Sequence, residues 1–446
     1  MPSATPMSAD RVPVRQKSAG SRIRDSILYS PAWMVVVGLA VREACIAAGH
    51  LYHLDIMRWT AFEMANIGRS LAVGHGFSTP FYNGPGTPWN EFSGPTAWTA
   101  PLYPWLVSLV FRIVGVYSDA AGFVLLTINS IFSALTSWTI YRIGRRVFDV
   151  NVGALSGWIW ALSPFAVYWS ATWIWETTLS AFLLSLILMV TVEMEGSDRI
   201  WVWVRYGLLW GLIALTNTSI LAWLPFSGCW LAYRLHRAGK RFLAPVVISG
   251  LVFWATITPW LVRNYVVFDK VVFIRGDLGS ELRAGNNSLA QGTWVPTYRA
   301  GNNPALFAQY KRMGEVAYDA EQARLAKQWI TENPERFRAL TGHKLLYFWY
   351  GLPETPLPRL GHFLFFALTV TSLGGLLLAL VRRLHGVFLF ATLMIFYPLV
   401  YYITFPTMRY RHTIEPALVI LAGLLLASMA EFVNYRITRS AVRPAV

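Results

Sequence analysis

Two glutamates stand where a carboxylate is hardest to keep charged. In WTAFEMANIGRSLAVGHGFS (59–78), helical spacing puts Trp59, Glu63, Ile67 and Leu71 within one arc of about 120°. Glu63 therefore lies on an apolar face, where desolvation raises a carboxyl pKa and suits it to general-base work. Pairing with Arg58 or Arg69 is the structural alternative. Asp55, eight residues earlier, is close to the same face and is a second candidate acid. Glu176 in SATWIWETT (170–178) falls where an apolar helix begins, beside Trp173 and Trp175, with no cation within eight residues. Its partner must come through the fold, although a carboxylate also stabilises a helix N-terminus by itself. Glu91 in PWNEFSGPTAW and His75 in the turn GHG are further polar candidates on the same stretch of chain.

The cations complement these acids, because a phosphate at a bilayer surface is held by Arg, Lys and backbone donors. Arg409 and Arg411 in FPTMRYRHTIEP (405–416) precede the last apolar segment and point the same way if that loop is extended. His412 and Glu415 follow, and an Arg411–Glu415 helical pair would engage one guanidinium and leave Arg409 free. Arg263 and Asn264 in PWLVRNY, and Lys344 in GHKLLYFW, occupy matching sites at the ends of other segments, where interfacial anchoring is the competing role.

The elements that must position these groups are membrane helices. Of 446 residues, 55% are hydrophobic and 14% charged, against about 25% charged in soluble domains. Apolar stretches near 31–50, 119–141, 152–172, 177–194, 201–217, 219–234, 243–260, 361–381, 386–405 and 414–434 predict an all-α polytopic membrane protein of about ten or eleven transmembrane helices, each needing roughly 20 apolar residues. With a cytoplasmic N-terminus, the positive-inside rule is met at Arg142, Arg145 and Arg146, at Arg199 and Arg205, from Arg234 to Arg241, at Arg382 and Arg383, and from Arg436 to Arg443. The +15 net charge is spread between hydrophobic segments, which excludes a nucleic-acid partner and makes membrane lipid the expected one.

This reading gives a basic cytoplasmic tail (1–30) and an N-terminal membrane module (31–260) whose first outer loop (51–118) carries the chemistry. An outer subdomain (261–360), C-terminal membrane helices (361–434) and a second cytoplasmic tail (435–446) complete the chain. Within the first loop, PLYPWLVSLVFRIVG (101–115) is too short to span and reads as an interfacial helix. In the outer subdomain, residues 320–349 read as an amphipathic helical pattern broken at Asn333-Pro334. Cys45 and Cys229, both in apolar surroundings, read as buried and inert thiols.

The succession of motifs resembles a known family. An acidic helix in the first loop, GPTAW and PLYP, YRIGRRVFD, ALSPFAVYWSATWIWE, TPWLVRNY with a following GNN, WITENPERF, and RYRHTIEP occur in that order between about residues 50 and 430. This resembles the GT-C-fold integral membrane glycosyltransferases, in the bacterial branch akin to protein O-mannosyltransferases and lipid A aminoarabinose transferases. The resemblance implies transfer of a monosaccharide, with inversion, from a polyprenyl-phosphate carrier to a lipid, glycan or protein acceptor at the outer face of a bacterial inner membrane. It assigns Glu63 to activating or binding the acceptor hydroxyl and Glu176 to a second acidic position at the outer end of a span, while Asp55 or Glu91 could stand in for a second acid of the first loop. Arg409 and Arg411, with Lys344 and Arg263, would hold the carrier phosphate; Asn264, Tyr103, Glu91 and His75 are further candidates for contact with the carrier or the sugar by their own positions. The pattern departs from relatives with an Asp-Glu or Asp-Asp pair, since Phe62 and Met64 flank Glu63. No cofactor is required by these residues; a divalent metal is compatible with the acids and not demanded by them. Two other readings compete: a transporter or flippase of lipid-linked sugars, which should place polar groups inside its spans, and a non-catalytic glycan-assembly subunit that keeps only the scaffold.

Overall fold

The computed structural model describes residues 26–81, 91–352 and 359–441. The N-terminal basic tail up to residue 25 and Arg443 lie outside the described residues. Among the described residues, regular structure is helical apart from one isolated antiparallel bridge, Ser78 to Pro95.

Helix α1 (Pro31–Ala48) leads into the first long connection, which holds α2 (Ile56–Thr60), α3 (Glu63–Ala72) and α4 (Leu102–Val114). A central bundle follows: α5 (Asp119–Val147), α6 (Val150–Ala161), α7 (Pro164–Thr172), α8 (Thr177–Glu193), α9 (Ile200–Ala214), α10 (Leu224–Arg237) and α11 (Leu243–Phe268). The second long connection carries α12 (Leu278–Gly285), α13 (Pro304–Met313), α14 (Glu315–Glu332) and α15 (Pro334–Tyr350). Closing the chain are α16 (Arg359–Val381), α17 (Val387–Phe396), α18 (Leu399–Ile403), α19 (Met408–His412) and α20 (Glu415–Ala441).

All ten apolar stretches contain helix, but five helices, α1, α5, α11, α16 and α20, are long and apolar enough to cross a membrane alone. A sixth span arises if α6 and α7, bent by 45° at their junction, count as one. Hydropathy reads through such breaks because the breaking residues are few. Pro164 cannot continue α6, and Ser163 instead accepts a hydrogen bond from the Ala166 amide to start α7. Asn217 likewise ends the run from α9 by capping the 3₁₀ turn Thr218–Trp223. α4, α8, α9 and the helical stretch Val387–Ile403 are apolar but shorter. The carbonyls freed at the end of α6 are met by Arg42, fully buried in α1, which donates to Ala161 at 2.9 Å.

The largest apolar core joins α5, α8, α9, α17 and α20 around buried Trp160, Trp203, Trp210 and Trp223. Its rings bury most of their surface while their N–H groups find acceptors, as where Trp160 donates to the Ser133 carbonyl at 2.8 Å. The two cysteines differ from expectation: both are free and exposed, because α1 and α10 turn those faces outward, where lipid rather than protein would cover them. In the outer connection the predicted break is present, with Asn333 between α14 and α15.

The packing of α3 on α4 sets the position of Glu63. Gly68 faces Val107, and a Cβ built on it would lie 2.5 Å from the Val107 Cγ1. Gly68→Ala would gain about 1 kcal/mol of helix propensity but lose about 1–3 kcal/mol to overpacking, so the clash should win. We expect Gly68→Ala to lower the thermal midpoint and Val107→Ala in the same chain to recover part of the loss. Additive effects of the two changes in thermal unfolding would show that this contact does not set the α3–α4 spacing.

Candidate active site

Seven charged side chains meet at one end of the bundle. Glu63 opens α3 and accepts from the Arg299 guanidinium at 3.2 Å; the same nitrogen lies 3.0 Å from Glu281 on α12. Arg275 pairs with Asp277 immediately before α12. Glu176 precedes α8, with Oε1 3.9 Å from Arg409 on α19. The Arg409 guanidinium lies 4.2 Å from the Trp175 ring centre and 5.0 Å from that of Tyr410, so aromatic faces hold it. A cavity of about 450 Å³ is lined by Glu176, Arg275, Asp277 and Glu281 with Asn217 and Ser219 among its polar neighbours.

Burial drives the electrostatics. It raises the Glu63 carboxyl above the ordinary range, opposed by Arg299, and raises Glu176, opposed by Arg409. Asp277 is pushed up to about 7, first by burial, with Arg275 pulling the other way. Arg275 and Arg299 stay cationic: burial opposes the charge, but the carboxylates around them outweigh it. Among the described residues, Glu176 Oε2 is buried without a hydrogen-bond donor, an acceptor left open beside the cavity.

Several residues singled out in the sequence support this site from behind. Tyr103 shares hydrogen bonds with Asn129, whose amide holds the Trp173 carbonyl at 2.8 Å and so fixes the turn before Glu176. Asn264 donates to the carbonyls of Val272 and Ile274, and Trp260 donates to Ile274 at 2.9 Å. Between them they hold Ile274 at φ 58°, a left-handed conformation that a β-branched residue rarely adopts, and this turn presents Arg275. Arg263 is spent on the carbonyls of Thr96 (2.7 Å) and Phe77 (2.8 Å) and stacks over Trp260.

Others lie elsewhere. Asp55 caps α2 by accepting from the Arg58 amide. Glu91 pairs with Lys311 at 2.5 Å, and His75 stacks on Phe92. Lys344 is fully buried with its ammonium on Asn286 and the Ile403 carbonyl, where burial lowers its pKa to about 7. Arg411 does not point with Arg409. Residues 408–412 are helical rather than extended, which turns i and i+2 roughly 200° apart. Its guanidinium is buried against Phe365, Thr369 and Glu415. The sequence does not single out Arg275, Asp277, Glu281 or Arg299: RGDLGSELR (275–283) is rich in mixed charge, but ENPERFR (332–338) is denser.

The carboxyls are interleaved with guanidiniums, and among the described residues no group of three or more His, Cys, Asp and Glu is placed to hold a metal ion. As folded, these carboxyls are set against guanidiniums rather than grouped to share a cation.

Comparison with known proteins bears out the resemblance to the GT-C membrane glycosyltransferases in fold. Residues 98–262 match the family described as dolichyl-phosphate-mannose-protein mannosyltransferase. The archaeal oligosaccharyltransferase AglB from Archaeoglobus fulgidus, in complex with an inhibitory peptide and a dolichol-phosphate, superposes over 93% of this chain with a TM-score of 0.52 and 14% identity. The same enzyme in complex with Zn and sulfate covers 92% with a TM-score of 0.51 and 14% identity. ArnT from Cupriavidus metallidurans bound to undecaprenyl phosphate shares 14% identity over 93% of this chain and 79% of its own, with a TM-score of 0.38. The chain spans about half the length of the AglB structures, 52% and 50%. No curated protein matches it.

One buried acid reports on how the second long connection docks. Glu315 accepts from the Thr96 hydroxyl, the Ala97 amide and Tyr310 (2.8 Å), and burial pushes its pKa from 4.5 to about 7. A carboxyl that binds its proton more tightly when folded contributes stability that is whole below about pH 4.5 and lost as pH rises through 7. Amide exchange over residues 304–332 should therefore quicken from pH 5 to pH 8, after correction for intrinsic rates, and Glu315→Gln should flatten the trend. An unchanged slope in that variant would assign it to other groups.

Proposed function

We propose that this protein is an inverting glycosyltransferase. It moves a monosaccharide from a polyprenyl-phosphate carrier to an acceptor hydroxyl at the outer face of a bacterial plasma membrane. The observation that carries the reading is the pairing of buried, proton-seeking carboxyls with fixed guanidiniums, of which Glu176 and Arg275 line one cavity and Glu63 and Arg409 stand beside them. Glu63 takes the proton of the acceptor hydroxyl as that oxygen bonds to the anomeric carbon. The bond from that carbon to the carrier phosphate breaks on the opposite side, which inverts the centre. Arg409 and Arg275 receive the negative charge that gathers on the departing phosphate, where donors already in place need no reorganisation. Glu176 Oε2 accepts from a substrate hydroxyl. Polar residues at the break between α9 and α10, Asn217 and Ser219, face the sugar. The ring passes through an oxocarbenium-like state, as in glycoside chemistry.

Orientation follows from charge. Arg142, Arg145, Arg146, Arg234, Arg382 and Arg383 lie at the helix ends away from the cavity, which the positive-inside rule puts in the cytoplasm with both termini. Residues 51–118 and 261–360 then form the outer, catalytic side. The AglB structure that carries a dolichol-phosphate supports a lipid-phosphate donor by fold.

Transfer of radiolabelled sugar from a panel of polyprenyl-phosphate monosaccharides by the purified protein in lipid tests the reading. Glu63→Gln should lower turnover by roughly 10²–10⁴-fold, the usual worth of general-base catalysis, with little change in carrier binding. Arg409→Ala should weaken carrier binding and turnover together. A wild-type protein that neither turns over nor binds any such carrier would bring transport or scaffolding to the front.

With the base assigned, pH gives a second check. Burial raises the Glu63 carboxyl, so its ionised, proton-accepting form grows as pH rises. The acid limb of kcat should lie above the ordinary carboxylate range and rise further in Arg299→Gln, which removes the cation that opposes the effect of burial. A limb unmoved in that variant would point to Glu176 instead.

A further inference from the structure

The end of the bundle opposite the cavity holds a second constellation that sugar transfer does not use. α5, α8 and α10 bring Arg142, Arg145 and Arg146, Glu193, and Arg234 together there, with Glu195 and His385 from the adjoining loops. A cavity of about 690 Å³ is lined by Arg142, Arg145, Arg146 and Glu193. A neighbouring one of about 240 Å³ shares Arg146 and adds Glu195, Arg234 and His385.

The charges here do not cancel. Arg142 is matched by Glu193 at 2.7 Å. Glu195 is taken by Arg234 at 3.4 Å, by His385 at 2.6 Å and by the Trp230 N–H at 2.7 Å. Arg145 and Arg146 have no hydrogen bond or ion pair among the described residues, yet both face the larger cavity. Four arginines therefore stand against two glutamates, an excess of two positive charges before His385 is counted. Charge placement for topology alone needs cations near the bilayer surface, not unpaired guanidiniums converging on one hollow. α5 is a 29-residue candidate span that ends at Val147, so the hollow sits at headgroup level when that helix crosses the bilayer. Val147 and Val192 add apolar lining to the smaller cavity beside it, which shares Arg146.

We infer that this hollow is a binding site for the phosphate of an anionic phospholipid headgroup, with Arg145 and Arg146 as its principal ligands. Planar guanidiniums suit phosphate oxygens, and basic pockets between membrane helices are the expected seat of such headgroups. The site is separate from the sugar-transfer cavity, and its occupancy does not depend on that reading.

The test uses the full chain in phosphatidylcholine nanodiscs doped with labelled phosphatidylglycerol, with retained label counted per protein by native mass spectrometry. Wild type should retain phosphatidylglycerol over phosphatidylcholine. Arg145→Gln with Arg146→Gln should weaken that preference roughly thirtyfold, at about 1 kcal/mol per cation. Arg241→Gln, a cation at the same end that lines neither cavity, should leave it unchanged. Glu193→Gln, which releases Arg142 without adding bulk, should strengthen retention and keeps the test open if the double variant folds poorly. Equal retention of the two lipids, an unaltered double variant, or an equal loss in Arg241→Gln would overturn the site, the last by showing diffuse attraction. Displacement of the label by millimolar inorganic phosphate would overturn the lipid assignment.

Discussion

Arg299 lies between carboxylates that come from opposite ends of the structural problem. Glu63 belongs to the first loop and Glu281 to the second, 236 and 18 residues away from it, and a single guanidinium nitrogen reaches both. Charges taken out of water cost several kcal/mol each, and that cost is offset only when the partners are close and well aligned. Neither glutamate has a reason to be buried without Arg299, and Arg299 has none without both. The second long connection must therefore close on the first before the site exists, and the closure is specified by charge more than by shape.

The segment from Thr96 to Trp98 makes that closure possible. It offers the Thr96 hydroxyl and Ala97 amide to Glu315, the Thr96 carbonyl to Arg263, the Ala97 carbonyl to the Gly276 amide at 2.9 Å, and the Trp98 carbonyl to Arg275. Three residues thus tie a membrane helix, the outer helices and the turn carrying Arg275 to one another. Buried backbone must find partners, and here the partners are the ionisable side chains that the site needs held still.

This division explains what the sequence discloses. Hydrophobic length is a local property, so every apolar stretch could be found, as could helix α4 and the break at Asn333. Glu63 and Glu176 could be found too, because an acid among apolar residues is conspicuous. Arg275, Asp277, Glu281 and Arg299 could not, because a charge in a polar loop is unremarkable until its partner is known, and those partners are set by tertiary closure. The GPTAW and TPWLVRNY motifs were legible as motifs, but their polar members act by holding backbone rather than substrate. Arg411 shows the cost of assuming a local conformation. Read as extended chain it joins Arg409; wound into one helical turn it faces the opposite way and anchors α19 to α16 and α20.

The site contains four carboxyls, Glu63, Glu176, Asp277 and Glu281, against three guanidiniums, Arg275, Arg299 and Arg409, so full ionisation leaves it one negative charge in excess. Such a site would repel a phosphate. Burial, however, raises Glu63, Glu176 and Asp277 together, and each proton taken up moves the balance by one unit toward positive. On the proposed reading, the arriving donor is a phosphodiester with one negative charge, and that charge is itself a reason for one of these acids to take up a proton. Departure of the carrier phosphate then restores the tendency to release it. A carboxyl that must accept a proton during transfer is thus kept near the point of doing so by the same desolvation that makes the guanidiniums effective, and separating the two effects would require opening the site to water.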